Sequence, residues 1–278
     1  MRRYVDYNLC GLNNPKTIQE AEFPFKIIKC TNCGLVYTNP QPDRKLIKDH
    51  YQEDYYKEWI EKQMNRRIHM RERRLRDLVK YKKSGRTLDV GCGVGTFLKR
   101  SKEKGFEIYG TEISDYACKH AEESLRIDVF RGELEEARFL PATFDVVTVW
   151  HTLEHLPDPM AALREINRIL KKDGLLVVAV PNLNNYITRL LYLLVKRKKL
   201  MLFSNQAKEW HLYHFSDHTI SSMLEKAGFD IIKIDLDLVQ LEPSKITVDF
   251  LAVIFHFVTR KNYGEAMRVY AIKAKKNN

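Results

Sequence analysis

An acid followed by three alternating glycines offers the clearest chemistry in this sequence. Asp89 lies near the end of a short apolar run, and Gly91, Gly93 and Gly95 follow it. Glycine lets the backbone approach a ligand closely, and a helix that begins there points free N–H groups at the ligand. A carboxylate in this position suits a ligand that carries positive charge. The pattern therefore predicts a site for a small charged cofactor.

A second acid, Glu112, ends the next apolar run, residues 106–111. A carboxylate placed about 20 residues past the glycines can accept both hydrogen bonds from the ribose diol of an adenosine. The spacing G-x-G-x-G differs from the G-x-G-x-x-G of dinucleotide sites, and Asp89 would lie near the pyrophosphate of a dinucleotide. We therefore expect a cationic cofactor with an adenosine, not a nicotinamide or flavin dinucleotide.

Three later blocks extend this pattern, and together the motifs resemble those of the class I S-adenosylmethionine-dependent methyltransferases. Residues 144–150 are similar to the fourth strand of that family, 163–174 to the helix and turn before its fifth strand, and 175–182 to the fifth strand and its exit. The resemblance covers residues 84–260. It implies S-adenosylmethionine as the cofactor and an α/β fold with a Rossmann-like, seven-stranded, mostly parallel sheet.

The resemblance also implies roles for individual residues. Glu133 and Leu134 fall where the family places a polar side chain by the adenine amine and an apolar one over the ring; alternatively, residues 133–136 begin a solvated acidic helix. Trp150 is similar to the family residue that packs against the methionine part of the cofactor. The expected cofactor-binding residues are Asp89, Gly91, Cys92, Gly93, Gly95, Glu112, Ile113, Glu133, Leu134 and Trp150.

Two histidines, His151 and His155, follow the predicted fourth strand, where parallel sheets bind their ligands. Histidine titrates near neutral pH and can take a proton from an attacking hydroxyl or amine, so both are catalytic base candidates. The stretch also resembles the ubiquinone-biosynthesis O-methyltransferases, in which Glu-x-x-Glu-His holds a divalent metal. Here Glu154 and His155 match, but His151 replaces the first Glu. We favour a metal-free base or substrate-positioning pair; a metal site and a structural role remain alternatives.

A second histidine cluster, His211 and His214 around Tyr213, precedes a predicted helix at 217–227. It resembles a block that lies near the mouth of the site in one subgroup of the family. His211 and His214 are therefore further catalytic candidates that would line the acceptor pocket. The alternative is an aromatic plug beneath a loop.

Three cysteines near the N-terminus have the spacing of a zinc knuckle. Cys30 and Cys33 form a C-x-x-C pair, and Cys10 is the upstream partner, with Tyr7 where a fourth cysteine would stand. The segment resembles the N-terminal zinc segment of small-molecule methyltransferases. Zinc held by three thiolates and a weak fourth ligand (Asp6, Tyr7 or His50) is one interpretation. A knuckle packed without metal is the other.

Positive charge is concentrated before the predicted cofactor domain. The 278 residues carry a net charge of +11, and residues 1–83 hold 19 basic and 11 acidic side chains. Residues 66–80 are interpreted as a helix over the site with a solvated basic face, which could attract an anionic acceptor, a carrier protein or RNA. Residues 186–203 combine an apolar face with a basic run, which predicts a lid over the acceptor or, alternatively, a helix on an anionic membrane.

The elements that must position these residues follow from patterning. Strands and helices alternate from residue 86, with helices at 96–104 and 217–227 and a helix that starts at Asp158 and ends before Gly174. A third strand is expected at 126–130 and late strands at 231–236 and 249–258. In the family, the last strand runs antiparallel beside the fifth.

These elements predict a division of the chain into an N-terminal knuckle (1–50), a basic helical segment (51–83), a cofactor domain (84–260) with a lid insertion (184–215) and a basic tail (261–278). The expected function is methyl transfer to a small molecule such as a sugar, nucleotide-sugar, phenol or lipid-linked acceptor. An RNA methyltransferase and a non-catalytic S-adenosylmethionine-binding module are the alternatives. With neither an apolar signal segment nor a bilayer-length apolar run, a cytoplasmic protein is expected.

Overall fold

The computed structural model describes residues 2–5, 9–12, 14–63, 68–204, 206–238, 243–259 and 262–275. No helix in these ranges is both long and apolar enough to cross a membrane. The helices are α1 Arg44–His50, α2 Glu53–Gln63, α3 Ile68–Val79, α4 Thr96–Glu103, α5 Asp115–Leu125, α6 Pro159–Ile169, α7 Tyr186–Lys196, α8 Asp217–Lys226 and α9 Pro243–Thr259.

The strands, in chain order, belong to three sheets. They are β1 Arg2–Arg3, β2 Pro15–Glu20, β3 Lys26–Cys30, β4 Val36–Asn39, β5 Gln41–Pro42, β6 Gly85–Val90, β7 Phe106–Glu112, β8 Phe130–Arg131, β9 Phe144–Trp150, β10 Leu170–Pro181, β11 Tyr213–His214, β12 Phe229–Leu236 and β13 Ala266–Lys273.

The central sheet has seven strands in the order β12-β13-β10-β9-β6-β7-β8. Neighbours from β10 to β8 pair in parallel, whereas β13 is antiparallel to both β10 and β12. β9 and β10 are buried along most of their length because helices cover both faces of the sheet. The predicted Rossmann-like, mostly parallel α/β sheet is therefore confirmed, including the antiparallel last strand.

The residues of that last strand differ from the prediction. Residues 249–258 lie in helix α9, and the strand beside β10 is Ala266–Lys273, so part of the predicted basic tail (261–278) belongs to the sheet. Phe250, Val253 and Phe257 are spaced at the helical period, which an uninterrupted apolar run conceals. The cofactor domain therefore extends beyond residue 260.

Two other boundaries also differ. β8 contains only Phe130 and Arg131, although a strand was predicted over 126–130; Ile127 and Val129 are buried without joining the sheet. Helix α6 begins at the expected N-cap, Asp158, whose side chain accepts from the N–H of Ala161 at 3.0 Å, but it ends at Ile169. Gly174 lies inside β10, at an irregularity in its pairing with β9.

The N-terminal segment packs as part of the main body. β2, β3, β4 and β11 form an antiparallel sheet in which β11 is the edge strand beside β4. Tyr213 pairs with Tyr37 and His214 with Val36. Leu35 and Tyr37 belong to the same buried cluster as residues of the central sheet. The predicted knuckle and the predicted insertion thus share one sheet.

Helix α3 confirms the predicted basic helix but corrects its solvated face. Arg71 and Arg74 are only 6% and 4% exposed, whereas Arg76 is exposed. The two buried guanidinium groups point into the protein beside Leu75 and Leu78, and charge on this helix therefore has an internal role.

Candidate active site

A cavity of about 690 Å³ lies at the carboxyl ends of β6, β7 and β9. Helices α1, α2 and α3 supply its outer wall, and the loops after the three strands supply its floor. Open parallel sheets place ligands at this edge, since the helices that follow the strands begin there. The predicted cofactor motifs and two of the four predicted histidines, His151 and His155, converge on this cavity.

The glycine loop needs its glycines for identifiable reasons. Gly91 has φ +68°, and a Cβ there would lie 2.4 Å from Cγ2 of Thr152, so a side chain would collide with the loop after β9. Gly95 has φ +75° at the N-cap of α4, and a Cβ there would lie 3.3 Å from Cβ of Ala121. Gly91 therefore allows the close approach of two loops, whereas Gly95 serves helix packing and does not line the cavity.

Glu112, the last residue of the neighbouring strand β7, binds the glycine loop. Its carboxylate is 5% exposed and accepts from the backbone N–H of Gly93 and of Ser114, each at 2.9 Å. Burial raises the pKa of Glu112 above its ordinary value, although these hydrogen bonds oppose the shift. Each carboxylate oxygen can accept more than one hydrogen bond, so capacity remains for a hydroxyl pair of a ligand.

Asp89 is the second buried acid of the cavity. It is 2% exposed, and the Thr148 hydroxyl donates to its Oδ1 at 2.7 Å. Burial raises the pKa of Asp89 to about 7, against the lowering effects of Thr148 and Arg74. A cation bound in the cavity would favour the ionised form of both acids, which fits a ligand that carries a sulfonium and an ammonium.

Most of the other predicted cofactor residues line the same cavity. Besides the two acids, the wall includes Gly91, Cys92, Gly93, Ile113, Glu133, Leu134 and Trp150. Leu134 is buried in a short 3₁₀ helix, and Glu133 caps that helix and pairs with Arg44. The residues present thus fit S-adenosylmethionine: two acids for its charges and diol, and apolar side chains for its rings.

His151 lies in the cavity wall with an unusual backbone. Its φ is +51°, a conformation that is strained for a residue with a side chain and that is often found at functional sites. Nε2 lies 3.3 Å from Oδ2 of Asp237, and Nδ1 lies 3.5 Å from Oε1 of Glu154. Burial lowers the pKa of His151, but the interactions with Asp237 and Glu154 outweigh burial and raise it overall.

His155 has the opposite electrostatics. Burial lowers the pKa of His155, so the ring is neutral at pH 7. Its Nδ1 lies 2.8 Å from the Trp210 carbonyl oxygen and 3.0 Å from the Tyr51 hydroxyl. A carbonyl oxygen only accepts, so Nδ1 carries the proton and Nε2 keeps a free lone pair. The two cavity histidines thus differ: the pKa of His151 is raised, whereas that of His155 is lowered.

The second histidine pair lies behind the cavity wall. The ring of His211 is 5.0 Å from that of His155 between centroids, and His214 is 6% exposed. Neither histidine lines the cavity. Burial lowers the pKa of His214 to about 3, which makes it too weak a base to take a substrate proton at neutral pH.

Sequence reasoning missed a buried ionic cluster beside His151. Asp237 is 3% exposed; Arg74 donates to both of its oxygens, and Arg268 lies 3.9 Å away. The Arg74 guanidinium also stacks over the Trp150 ring at 4.5 Å. No local motif marks these residues, because Arg74 and Asp237 are 163 positions apart and meet only through the fold.

In the described part of the chain, two groups of side chains bring possible metal-ligand atoms close together. Ligand atoms of Cys10, Cys30 and Cys33 all lie within 4.8 Å of one another, as do those of Glu154, His155 and His211. His50, one expected fourth ligand, instead lies 2.9 Å from the Lys208 carbonyl and stacks on Trp210. Asp6 and Tyr7, the other two, lie outside the described residues.

The predicted lid takes a different place. Phe203 and Trp210 pack with Phe25 in a buried cluster against the N-terminal sheet. Helix α7 has no buried residue, and of the described part of 184–215 only Glu209 lines the cavity. The insertion therefore joins the N-terminal sheet to the active-site loop instead of covering the cavity with α7.

Known proteins share these features. A family model described as a methyltransferase domain matches residues 56–234. The ubiquinone biosynthesis O-methyltransferase of Actinobacillus pleuropneumoniae is 35% identical over 120 residues, which cover 38% of this chain and 51% of that protein. An uncharacterised methyltransferase of Schizosaccharomyces pombe is 40% identical over 114 residues, covering 35% of this chain and 40% of that protein. The chain spans about half the length of the curated relatives it matches.

Solved structures share the fold. A SAM-dependent methyltransferase from Archaeoglobus fulgidus is 22% identical with a TM-score of 0.55, over 80% of this chain and all (100%) of that chain. A SAM-dependent methyltransferase from Thermotoga maritima is 21% identical with a TM-score of 0.56, over 82% of this chain and 99% of that chain. Because the family model spans more than half of the sequence, the chain belongs to the methyltransferase domain family and has the class I fold of S-adenosylmethionine-dependent methyltransferases.

Proposed function

We propose that the protein transfers a methyl group from S-adenosylmethionine to a small-molecule acceptor. The observation that carries this proposal is the meeting of two groups in one cavity: the buried acids Asp89 and Glu112, and the histidines His151 and His155. The acids suit a cationic nucleoside, and the histidines suit a nucleophile that must lose a proton.

Each group has a defined task in this proposal. S-adenosylmethionine supplies an electrophilic methyl group on its sulfonium. Glu112 accepts hydrogen bonds from the ribose hydroxyls, and Asp89 balances the positive charge of the cofactor. Nε2 of His155 takes the proton of the acceptor hydroxyl or amine, because its ring is neutral and Nδ1 is already committed to the Trp210 carbonyl. The ring of His151, whose Nε2 lies 3.3 Å from Oδ2 of Asp237, orients the acceptor.

The walls favour a small aromatic or hydroxylated acceptor. Tyr51, Tyr55 and Tyr56 line the cavity, whose volume of about 690 Å³ is in the range of small-molecule sites. The resemblance to ubiquinone-biosynthesis O-methyltransferases supports a phenol among the candidates.

An RNA acceptor has less support. Several basic side chains of the cavity wall pair with acids, for example Lys48 with Asp115 at 3.6 Å and Arg131 with Glu122 at 2.6 Å. Such pairing reduces the positive potential that a phosphate backbone needs.

Calorimetry with matched variants tests cofactor binding. Glu112→Gln should weaken S-adenosylmethionine binding by about 10- to 100-fold, since it removes a charged acceptor. Glu107→Gln, on the same strand but exposed and paired with Arg86, should bind as the wild type does. Equal loss in both variants, or no binding by the wild type, would overturn the proposal.

Labelled-methyl transfer to a panel of phenols, sugars, nucleotide-sugars, lipid precursors and RNA tests catalysis. Transfer to a small molecule, abolished or strongly slowed in His155→Gln, is expected. Tight cofactor binding without transfer to any acceptor would instead favour the non-catalytic module, and transfer to RNA alone would favour the RNA enzyme.

We also propose zinc at Cys10, Cys30 and Cys33. The close approach of three thiol groups, with Sγ of Cys10 3.5 Å from Sγ of Cys30, supports it, since thiolates are preferred ligands of structural zinc. Cys30 ends β3, a strand that contributes to the main core, and Cys33 lies in the turn that follows, so the metal would stabilise the fold. None of the three cysteines lines the cavity, so methyl transfer would not involve the metal.

A further inference from the structure

Helix α9 presents an apolar stripe to solvent. Phe250, Val253, Ile254, Phe257 and Val258 recur at the i, i+3, i+4, i+7, i+8 spacing of one helix face, and they are between 41% and 75% exposed. The opposite side is turned inward, as the fully buried Ala252 shows. An amphipathic helix in a globular protein normally buries such a stripe, so its exposure calls for a partner.

Helix α7 repeats the pattern beside it. Tyr186, Leu190, Leu193 and Leu194 follow the same spacing and are 44% to 65% exposed. The two helices contact each other, and the ring of Tyr186 lies 6.0 Å from that of Tyr263, just after α9. The exposed apolar side chains thus belong to two neighbouring helices, and together they are here called the α7–α9 surface.

Four cations border this surface. Lys196, Arg197, Lys198 and Lys199, at the end of α7, are all exposed. We propose that the α7–α9 surface docks the protein on an anionic lipid bilayer, with the apolar stripes in the acyl boundary and the basic run among the headgroups. Apolar insertion and attraction to anionic lipid together are the requirements for stable interfacial binding.

The place of the surface suits an enzyme that works at a membrane. α7 follows β10, and α9 follows β12; these strands are both antiparallel to β13, so their carboxyl ends share one edge. The active-site cavity opens at that same edge, after β6, β7 and β9. Docking would therefore hold the cavity side of the molecule towards the bilayer.

A second copy of the chain is a less suitable occupant. A two-fold interface built on the α7–α9 surface would bring the basic runs of both copies towards the same contact area, where like charges repel. A bilayer with anionic headgroups attracts the same run. The helices, at 11 and 17 residues, are too short to span the bilayer and suit an orientation in its surface.

Vesicle flotation of the full chain tests docking without cofactor or acceptor, so its result does not depend on the proposed methyl transfer. The protein should float with vesicles that contain phosphatidylglycerol, float much less with phosphatidylcholine alone, and be released by high salt. The double variant Leu194→Glu/Phe257→Glu should lose at least about tenfold in vesicle partitioning, since two inserted apolar side chains are replaced by charges. Leu140→Glu/Phe23→Glu alters two equally exposed side chains elsewhere and should float as the wild type does.

Charge-reversal variants isolate the electrostatic contribution to vesicle binding. Lys198→Glu/Lys199→Glu should weaken flotation, whereas Lys102→Glu/Lys104→Glu, at the exposed end of α4, should not. Light scattering on the same samples tests whether a second copy of the chain covers the surface instead. A wild-type dimer that Leu194→Glu/Phe257→Glu converts to monomer would overturn the proposal. Equal binding to neutral and anionic vesicles, or no binding, would overturn it too.

Discussion

At the scale of single residues, the site depends on two carboxylates that the fold buries. Asp89 and Glu112 are 2% and 5% exposed, and burial raises the pKa of both. Holding two acids in one cavity costs folding free energy, which a cationic ligand recovers on binding. The acids are thus better explained by the ligand than by stability.

The pKa of Asp89 near 7 predicts pH-dependent cofactor binding. The cationic ligand binds the ionised carboxylate, so below that pKa a proton must first leave, and affinity should fall by up to about tenfold per pH unit. Calorimetry from about pH 7 down to about pH 5.5 avoids the range in which the amino group of S-adenosylmethionine titrates. Asp89→Asn should bind weakly and with a much flatter pH profile.

A matched control is Asp128→Asn, which alters an exposed aspartate outside the cavity wall and should retain the wild-type profile. A wild-type affinity that is constant over this pH range would show that Asp89 is already ionised in the free protein, in conflict with the explanation given for its burial.

Sequence could predict those residues whose role is written into a local motif. Asp89 and Glu112 follow apolar runs at diagnostic spacing, and His151 and His155 follow the fourth strand, so local patterning alone places each of them at the end of a strand. Asp237 could not be predicted in this way, because its partners come from α3 and β13, far along the chain. Long-range ion pairs leave no periodic signal in the sequence.

At the scale of elements, helix α3 is attached to the sheet by a buried ion pair. Arg74 bonds Asp237 just after β12, with 5% and 1% of the two side chains exposed. The ion pair thus sets the position of the helix that forms part of the cavity wall. The pKa of Asp237 is lowered well below its usual range by Arg74 and His151, despite burial.

Replacing Arg74 should therefore be costly. Arg74→Met leaves Asp237 buried without its main counter-ion and should lower the free energy of unfolding by about 3 kcal/mol. Arg76→Met, two positions along the same helix but exposed, should change it by no more than about 0.5 kcal/mol. Urea unfolding at neutral pH measures both. Similar values for the two variants would contradict an anchoring role for Arg74.

Helices were predicted correctly where the residues that begin and end them are distinctive. Asp158 caps helix α6 as expected, and helices α4 and α8 end within one residue of their predicted ends, 104 and 227. The prediction failed for residues 249–258, where apolar residues occupy almost every position and period 2 cannot be told from period 3.6. The α7–α9 surface explains this composition, since α9 is apolar on its exposed face as well as its buried one.

At the scale of the whole molecule, the N-terminal segment and the methyltransferase sheet form one folded body. Leu9, Leu35 and Tyr51 share a buried cluster with Leu88 and Met267, from opposite ends of the chain. Tyr51 also contacts the active-site loop, since its hydroxyl lies 3.0 Å from Nδ1 of His155, and it accepts from the N–H of Trp210 in the insertion at 3.0 Å. A change at the cysteine cluster should therefore affect the stability of the entire chain.

Zinc removal is the sharpest test of this coupling. The purified protein should contain one zinc ion per chain, and a chelator or the substitution Cys30→Ser should remove it. Loss of the metal should lower the midpoint of a single thermal transition, because the segment that holds the cysteines packs into the common core. Circular dichroism, which follows the whole fold, and tryptophan fluorescence should give the same midpoint. Cys118→Ser, in a separate buried cluster, should retain the metal. Two separated transitions would show that the N-terminal segment folds independently, and an unchanged midpoint after metal loss would show that the cysteines contribute nothing through zinc.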